Sequence, residues 1–146
     1  MRRFVVLTVV LALALVLPTT ALAKSTHYAG TVTPSGTVAF KLNKFVLKKG
    51  KKRKKVKTIS AFSFDGIPVS CADGAHVTHG KVTFAVKFKG SFTFNAESSA
   101  TGAKLHITGN LAAGTLQVSG NVPIDAANNL GSNCDSGLLN WTAARG

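Results

Sequence analysis

The sequence predicts an all-β domain, an antiparallel β-sandwich or flattened barrel of roughly 7–9 strands with one disulfide. Three observations carry this reading. Apolar residues recur with period two and not 3.6, long helical stripes are absent, and Gly, Asn and Ser fall between the periodic stretches.

The chain opens with the three parts of an export signal. Arg2 and Arg3 form the positive end, Phe4 to Leu17 the apolar stretch, and Ala21-Leu22-Ala23 an A-x-A cleavage site. A signal-peptide helix over residues 1–23 is expected, with cleavage after Ala23. The rival is a retained anchor, but a 14-residue stretch ending before Pro18 falls short of the roughly 20 residues that span a bilayer. Residues 24–146 then form a single domain, expected to be soluble, and secreted or held at the cell envelope.

The first strand pattern after the signal is Val38, Phe40 and Leu42, alternating with Thr37, Ala39 and Lys41. Phe62 and Phe64 follow in the same rhythm, and Ile67-Pro68-Val69 leads into Cys71. The clearest strand places Val82, Phe84, Val86 and Phe88 on one face. Phe92, Phe94 and Ala96 share their parity, so a three-residue loop Lys89-Gly90-Ser91 would pair Phe88 with Phe92 and Val86 with Phe94. A single strand bent at Gly90 is the alternative. Leu105 and Ile107 are odd where Leu116 and Val118 are even, which calls for an even-numbered loop. Ala112-Ala113 is poor chemistry for a two-residue primed turn, so four residues, Leu111 to Gly114, are expected, with Ile107 opposite Val118. Asp125 to Ser136 reads as a long loop, and Leu138 to Ala144 as the last strand. Tyr28 and Trp141 are expected to pack rather than to form a ligand platform.

The two cysteines, Cys71 and Cys134, both follow the signal, and an even count in an exported chain reads as a disulfide, with two free thiols as the alternative. Several landmarks occur together: Tyr28-x-Gly30, Cys71-Ala-Asp-Gly74, Gly114-x-Leu116 and Cys134-Asp-Ser-Gly137-x-x-x-Trp141-Thr-Ala. In these the chain resembles a group of small exported actinobacterial β-sandwich proteins of unknown function. The resemblance implies an all-β domain and a Cys71–Cys134 disulfide, and it brings no activity and no catalytic residues.

Candidate chemistry is sparse. Cys71, Asp73, His76 and His79 are close in sequence, but a disulfide removes Cys71, and histidines three apart on a strand face opposite sides, so no metal site is expected. Only five carboxylates follow the signal, Asp65, Asp73, Glu97, Asp125 and Asp135, without motif spacing, and no G-x-S-x-G occurs. The expectation is a protein without enzymatic activity or cofactor.

Charge is the sequence's one strong local signal, because between Lys24 and Phe64 there are 11 basic residues and no acid, while residues 65–146 carry 5 of each sign. The basic run is Lys48, Lys49, Lys51, Lys52, Arg53, Lys54, Lys55 and Lys57. It resembles nothing in the pattern of the actinobacterial group. Strand-like residues bracket it, so a hairpin tip over 48–57 is expected, held out in water and disordered by self-repulsion until a partner supplies counter-charge. The export signal argues against an intracellular nucleic-acid label. The functional reading is binding of extracellular polyanions: anionic cell-envelope polymers, phospholipid headgroups or extracellular DNA, without base readout because no aromatic ring interleaves with the lysines. Eight neutralised phosphates on duplex DNA would give a log-log salt slope of about −7. The alternative is a structural or adhesive protein-binding module on which the tip is only a solvated loop.

Overall fold

The computed structural model describes residues 24–146. Residues 1–23, on which the signal-peptide expectation falls, lie outside the described residues, as does the side chain of Phe84. The described chain forms nine antiparallel strands: β1 (Lys24–Thr33), β2 (Thr37–Lys49), β3 (Lys52–Cys71), β4 (Gly74–Lys87), β5 (Phe92–Glu97), β6 (Lys104–Gly109), β7 (Ala113–Pro123), β8 (Leu130–Asp135) and β9 (Leu139–Arg145). They make one hydrogen-bonded sheet in the order β4-β3-β2-β1-β9-β7-β6-β5, with β8 pairing both β3 and β7.

Two long strands change partners along one edge, and this bends the sheet into a flattened barrel. β3 pairs with β2 as far as Asp65 and then with β8 at Ser70, while its other edge stays on β4. β7 likewise gives Ala113–Leu116 to β9 and Ser119–Pro123 to β8. Bulges in β3 after Ser60 and Phe64 accommodate the bend. The disulfide joins Cys71 at the end of β3 to Cys134 in β8, closing the ring where the ladder is shortest.

Period-two alternation fills the interior. Val38, Phe40 and Leu42 of β2 face inward with Ile59, Phe62 and Phe64 of β3, opposite Leu105, Ile107, Leu116 and Val118 of β6 and β7. Trp141 of β9, 1% exposed, sits among Phe40, Phe62 and Phe92 with ring centroids 5.7, 6.3 and 6.2 Å away. Such pairs add about 0.5–1.5 kcal/mol each beyond area burial. The indole Nε1 donates to the Thr115 carbonyl at 3.1 Å. Tyr28 stacks on Phe40 at 5.2 Å, so both aromatic residues near the domain's ends pack as expected.

Three expectations are corrected. The Lys89-Gly90-Ser91 hairpin is absent: β4 pairs with β3 and β5 with β6, and the Phe88 amide donates to the Lys57 carbonyl instead. The chain passes there from one edge strand of the sheet to the other, and Phe88 meets Phe92 as a tilted ring contact at 6.5 Å. Asp125 to Ser136 is not all loop, since Leu130–Asp135 is β8, a strand whose buried positions are only Gly131 and Cys134. Four residues do separate the last β6–β7 pair, Gly109↔Gly114, but they are Asn110 to Ala113, the last already in β7, so Ile107 opposes Leu116 rather than Val118. Asn110 fixes that placement, its Oδ1 accepting from the amides of Ala112 and Ala113 at 2.7 and 2.9 Å.

Candidate functional site: a projecting basic ribbon

The basic run is an ordered ladder rather than a disordered tip. Lys49 opposes Lys52, leaving only Gly50 and Lys51 in the turn, and Gly50 has φ +62° at the first loop position, as a II′ hairpin requires. Phe45↔Val56, Val46↔Lys55, Leu47↔Lys54, Lys48↔Arg53 and Lys49↔Lys52 continue the register of the barrel without a break. β1 stops pairing with β2 at Lys44, and β4 stops pairing with β3 at Thr58. Beyond Lys44 and Lys57, whose carbonyl still accepts from the Phe88 amide, the two strands have no third partner among the described residues. They form a free ribbon of five pairs, roughly 17 Å long at 3.4 Å per residue.

Alternation divides the ribbon's side chains into two unlike faces. Leu42 and Ile59 are the last buried pair on the interior side. Continuing outward from them, one face presents Lys44, Val46 and Lys48 opposite Lys57, Lys55 and Arg53: five cations around one valine. The other presents Phe45, Leu47 and Lys49 opposite Val56, Lys54 and Lys52: three cations beside three apolar groups. Lys51 occupies the turn. The eight predicted residues are therefore brought onto one ribbon, but not onto one surface. Lys44, outside the run, belongs to the cationic face, and its position two residues before Val46 in a strand is the signal that could have placed it there.

Electrostatically the ribbon is under-compensated. Lys44↔Lys57, Lys48↔Arg53 and Lys49↔Lys52 are directly opposed like charges, each destabilising by about 0.2–1 kcal/mol. All the lysines and the arginine from Lys48 to Lys57 are exposed. The ion pairs among the described residues, His76–Asp73 at 3.1 Å and Lys104–Glu97 at 3.8 Å, lie elsewhere. Ladder hydrogen bonds and the half-buried Phe45–Val56 pair hold the strands together against this repulsion.

The carboxylates are dispersed in local structural contacts. Asp65 Oδ1 accepts from the Gly66 amide, Asp125 accepts from Asn129, and Asp135 Oδ1 accepts from Gln117 Nε2 and the Gly137 amide. Asp125 has its pKa lowered, first by the Asn129 side-chain hydrogen bond and next by the Asn129 amide. The histidines nearest the disulfide have separate partners: His76 faces Asp73, and His79 Nε2 lies 3.2 Å from Asn128 Oδ1. His76 Nε2 is buried and, although 3.1 Å from Asp73 Oδ1, makes no hydrogen bond among the described residues. Among the described residues no three His, Cys, Asp or Glu side chains converge as a metal site would require.

A concavity lies at the seam between β4 and β5, the two edge strands of the sheet. It measures about 400 Å³ and is lined mainly by apolar groups such as Phe64, Val82, Leu105 and Val118. Thr78, 1% exposed, closes one end by donating its hydroxyl to the Pro123 carbonyl at 2.6 Å. Among the described residues no helix is long and apolar enough to cross a membrane. No family model, no curated protein and no solved structure matches the chain.

Proposed function

We propose that this is an exported, non-enzymatic β protein, secreted or held at the cell envelope, that binds extracellular polyanions through the β2–β3 ribbon. The observation that carries the reading is a ribbon projecting past the barrel with five cations on one face and no carboxylate against them. A partner rich in phosphate or sulfate relieves three opposed like-charge pairs at once and releases its own counterions on doing so. Support for export is the Arg2-Arg3 signal pattern together with the Cys71–Cys134 disulfide, which persists in oxidising compartments. The non-enzymatic part rests on the use of the carboxylates in local turns and pairs.

The two-faced ribbon changes the expected salt dependence. A stiff duplex lies against one face, so five cations (Lys44, Lys48, Arg53, Lys55, Lys57) set the slope at about −4.5 rather than −7. Replacing those five by Gln should flatten the slope and lower the salt at which the protein leaves heparin, Lys49, Lys51, Lys52 and Lys54 remaining, with the melting temperature unchanged or raised. Elution at the salt of the unaltered protein refutes the proposal. A structural or adhesive module remains the second reading, favoured by the exposure of Val77 on β4 and Leu130 on β8, 54% and 47% respectively. Recovery of a protein partner from the cell envelope that is insensitive to salt and to the Gln substitutions would favour it.

A further inference from the structure

Resting on the polyanion reading, we infer that the surface the ribbon engages is an anionic phospholipid bilayer, with the cationic residues on the headgroups and Phe45, Leu47 and Val56 at the acyl boundary. The ribbon's second face is the ground for this. A soluble polyanion needs only charge, yet alternate positions of the free strands place three apolar side chains together within the most basic segment of the chain. Leu47 is 52% exposed, although it lies on a ladder that could present any polar residue there. Beneath these groups is a groove of about 360 Å³ at the ribbon's base, where Lys54, Lys57, Lys87 and Lys89 rim Phe45, Leu47 and Val56. An apolar floor ringed by cations complements an amphiphile with an anionic head.

Reach and backbone chemistry fix how deep the contact goes. A ribbon roughly 17 Å long can enter the interface, where apolar faces sit about 5–10 Å into the headgroup and acyl boundary. Among the described residues both outer edges of the ribbon from Phe45 to Val56 lack a ladder partner, and the hydrocarbon core does not tolerate unpaired amides and carbonyls, so the ribbon rests in the interface and does not span. Each lysine or arginine near an anionic surface adds attraction, and its effect is screened by salt. The apolar component is not screened, so bilayer binding should survive salt that releases the protein from heparin.

The test uses vesicles of mixed phosphatidylglycerol and phosphatidylcholine, vesicles of phosphatidylcholine alone, and a heparin column. The unaltered protein should bind the anionic vesicles and not the neutral ones. F45S/L47S should lose about tenfold or more in partition to anionic vesicles while eluting from heparin at an unchanged salt. L47W, over the constant background of buried Trp141, should show a blue shift with anionic vesicles and none with heparin. Partition of F45S/L47S within twofold of the unaltered protein, or no spectral shift in L47W, overturns the bilayer inference while heparin retention keeps the polyanion reading. Loss of heparin and vesicle binding together in a folded F45S/L47S also overturns it, since the apolar groups would then only shape the ribbon. Should F45S/L47S fail to fold, the L47W spectrum decides alone. Failure of the unaltered protein to bind either heparin or anionic vesicles overturns both readings.

Discussion

Removing the disulfide by Cys71→Ala with Cys134→Ala should cost roughly 4 kcal/mol on a chain-entropy treatment of the loop it closes. The two residues are 63 apart in sequence, and the link falls where β8 touches β3 through one ladder pair, Ser70↔Asp135, and the Ala72 amide donating to the Ser132 carbonyl at 2.9 Å. Little else fastens that corner of the ring, so native-state contacts cannot compensate for the larger entropy of the open unfolded chain. For a domain of roughly 120 residues, unfolding entropy near 2.1 cal/mol/K per residue converts the loss into a fall in Tm of about 15 °C. Urea unfolding followed by Trp141 fluorescence measures it directly, because the only tryptophan is 1% exposed at the centre of the core. The m-value should rise as well, since the unlinked unfolded chain exposes more surface. Heparin elution should not change: Cys71 ends the strand that Lys52 begins, as much as ~60 Å of strand path away. A loss under about 1 kcal/mol with an unchanged m-value would refute the loop-closure reasoning. It would mean that the β7–β8 ladder alone seats β8.

Three further outcomes follow from the geometry. Gly114→Ala would place a methyl 1.9 Å from the Thr108 carbonyl oxygen and 2.5 Å from Trp141 Cζ2, so the β6–β7 turn or the indole must shift. A loss of about 1–3 kcal/mol in thermal unfolding is expected, and none would show that the turn relaxes freely. Raising salt with a weakly bound anion should slow amide exchange at Val46 to Val56 more than in the barrel, because screening relieves three opposed pairs totalling about 1 kcal/mol. Asp125 is held below the ordinary aspartate value of 3.8 by its Asn129 hydrogen bonds. Its contribution to stability is therefore complete above 3.8 and lost as pH falls through the lowered folded value. A carboxyl titration by NMR checks this, with the 125–129 turn loosening only in acid.

Residue parity made much of the interior legible. Val38, Phe40 and Leu42, Phe62 and Phe64, and Leu116 and Val118 all face the core as their alternation requires. What parity cannot supply is the identity of the neighbouring strand. Phe88 and Phe92 have matching parity and a turn-like Gly90 between them, yet β4 is taken by β3, which offers a longer partner from Thr58 to Cys71, interrupted only by its two bulges. The even parity of Val86 is satisfied equally by Ile59, its actual opposite, so local pattern could not choose between them. β8 was hidden for another reason. Its two buried positions are a glycine and a half-cystine, three residues apart, and neither contributes to a hydrophobic alternation.

The basic segment is not a disordered tip, because a cross-strand ladder opposes the repulsion among its lysines. Phe45 and Val56 lie directly across from each other, and Gly50 allows the strands to reverse in two residues. Cross-strand bonds are therefore already in register when the first lysine pair meets, and each opposed pair subtracts only a fraction of a kcal/mol. Order has a functional consequence that a flexible tail would lack. A disordered run presents all eight cations to any partner, whereas the ribbon offers five on one side and three beside an apolar groove on the other. A surface that satisfies both sides of the ribbon at once must be charged at one depth and apolar at the next, and a polymer in water is not.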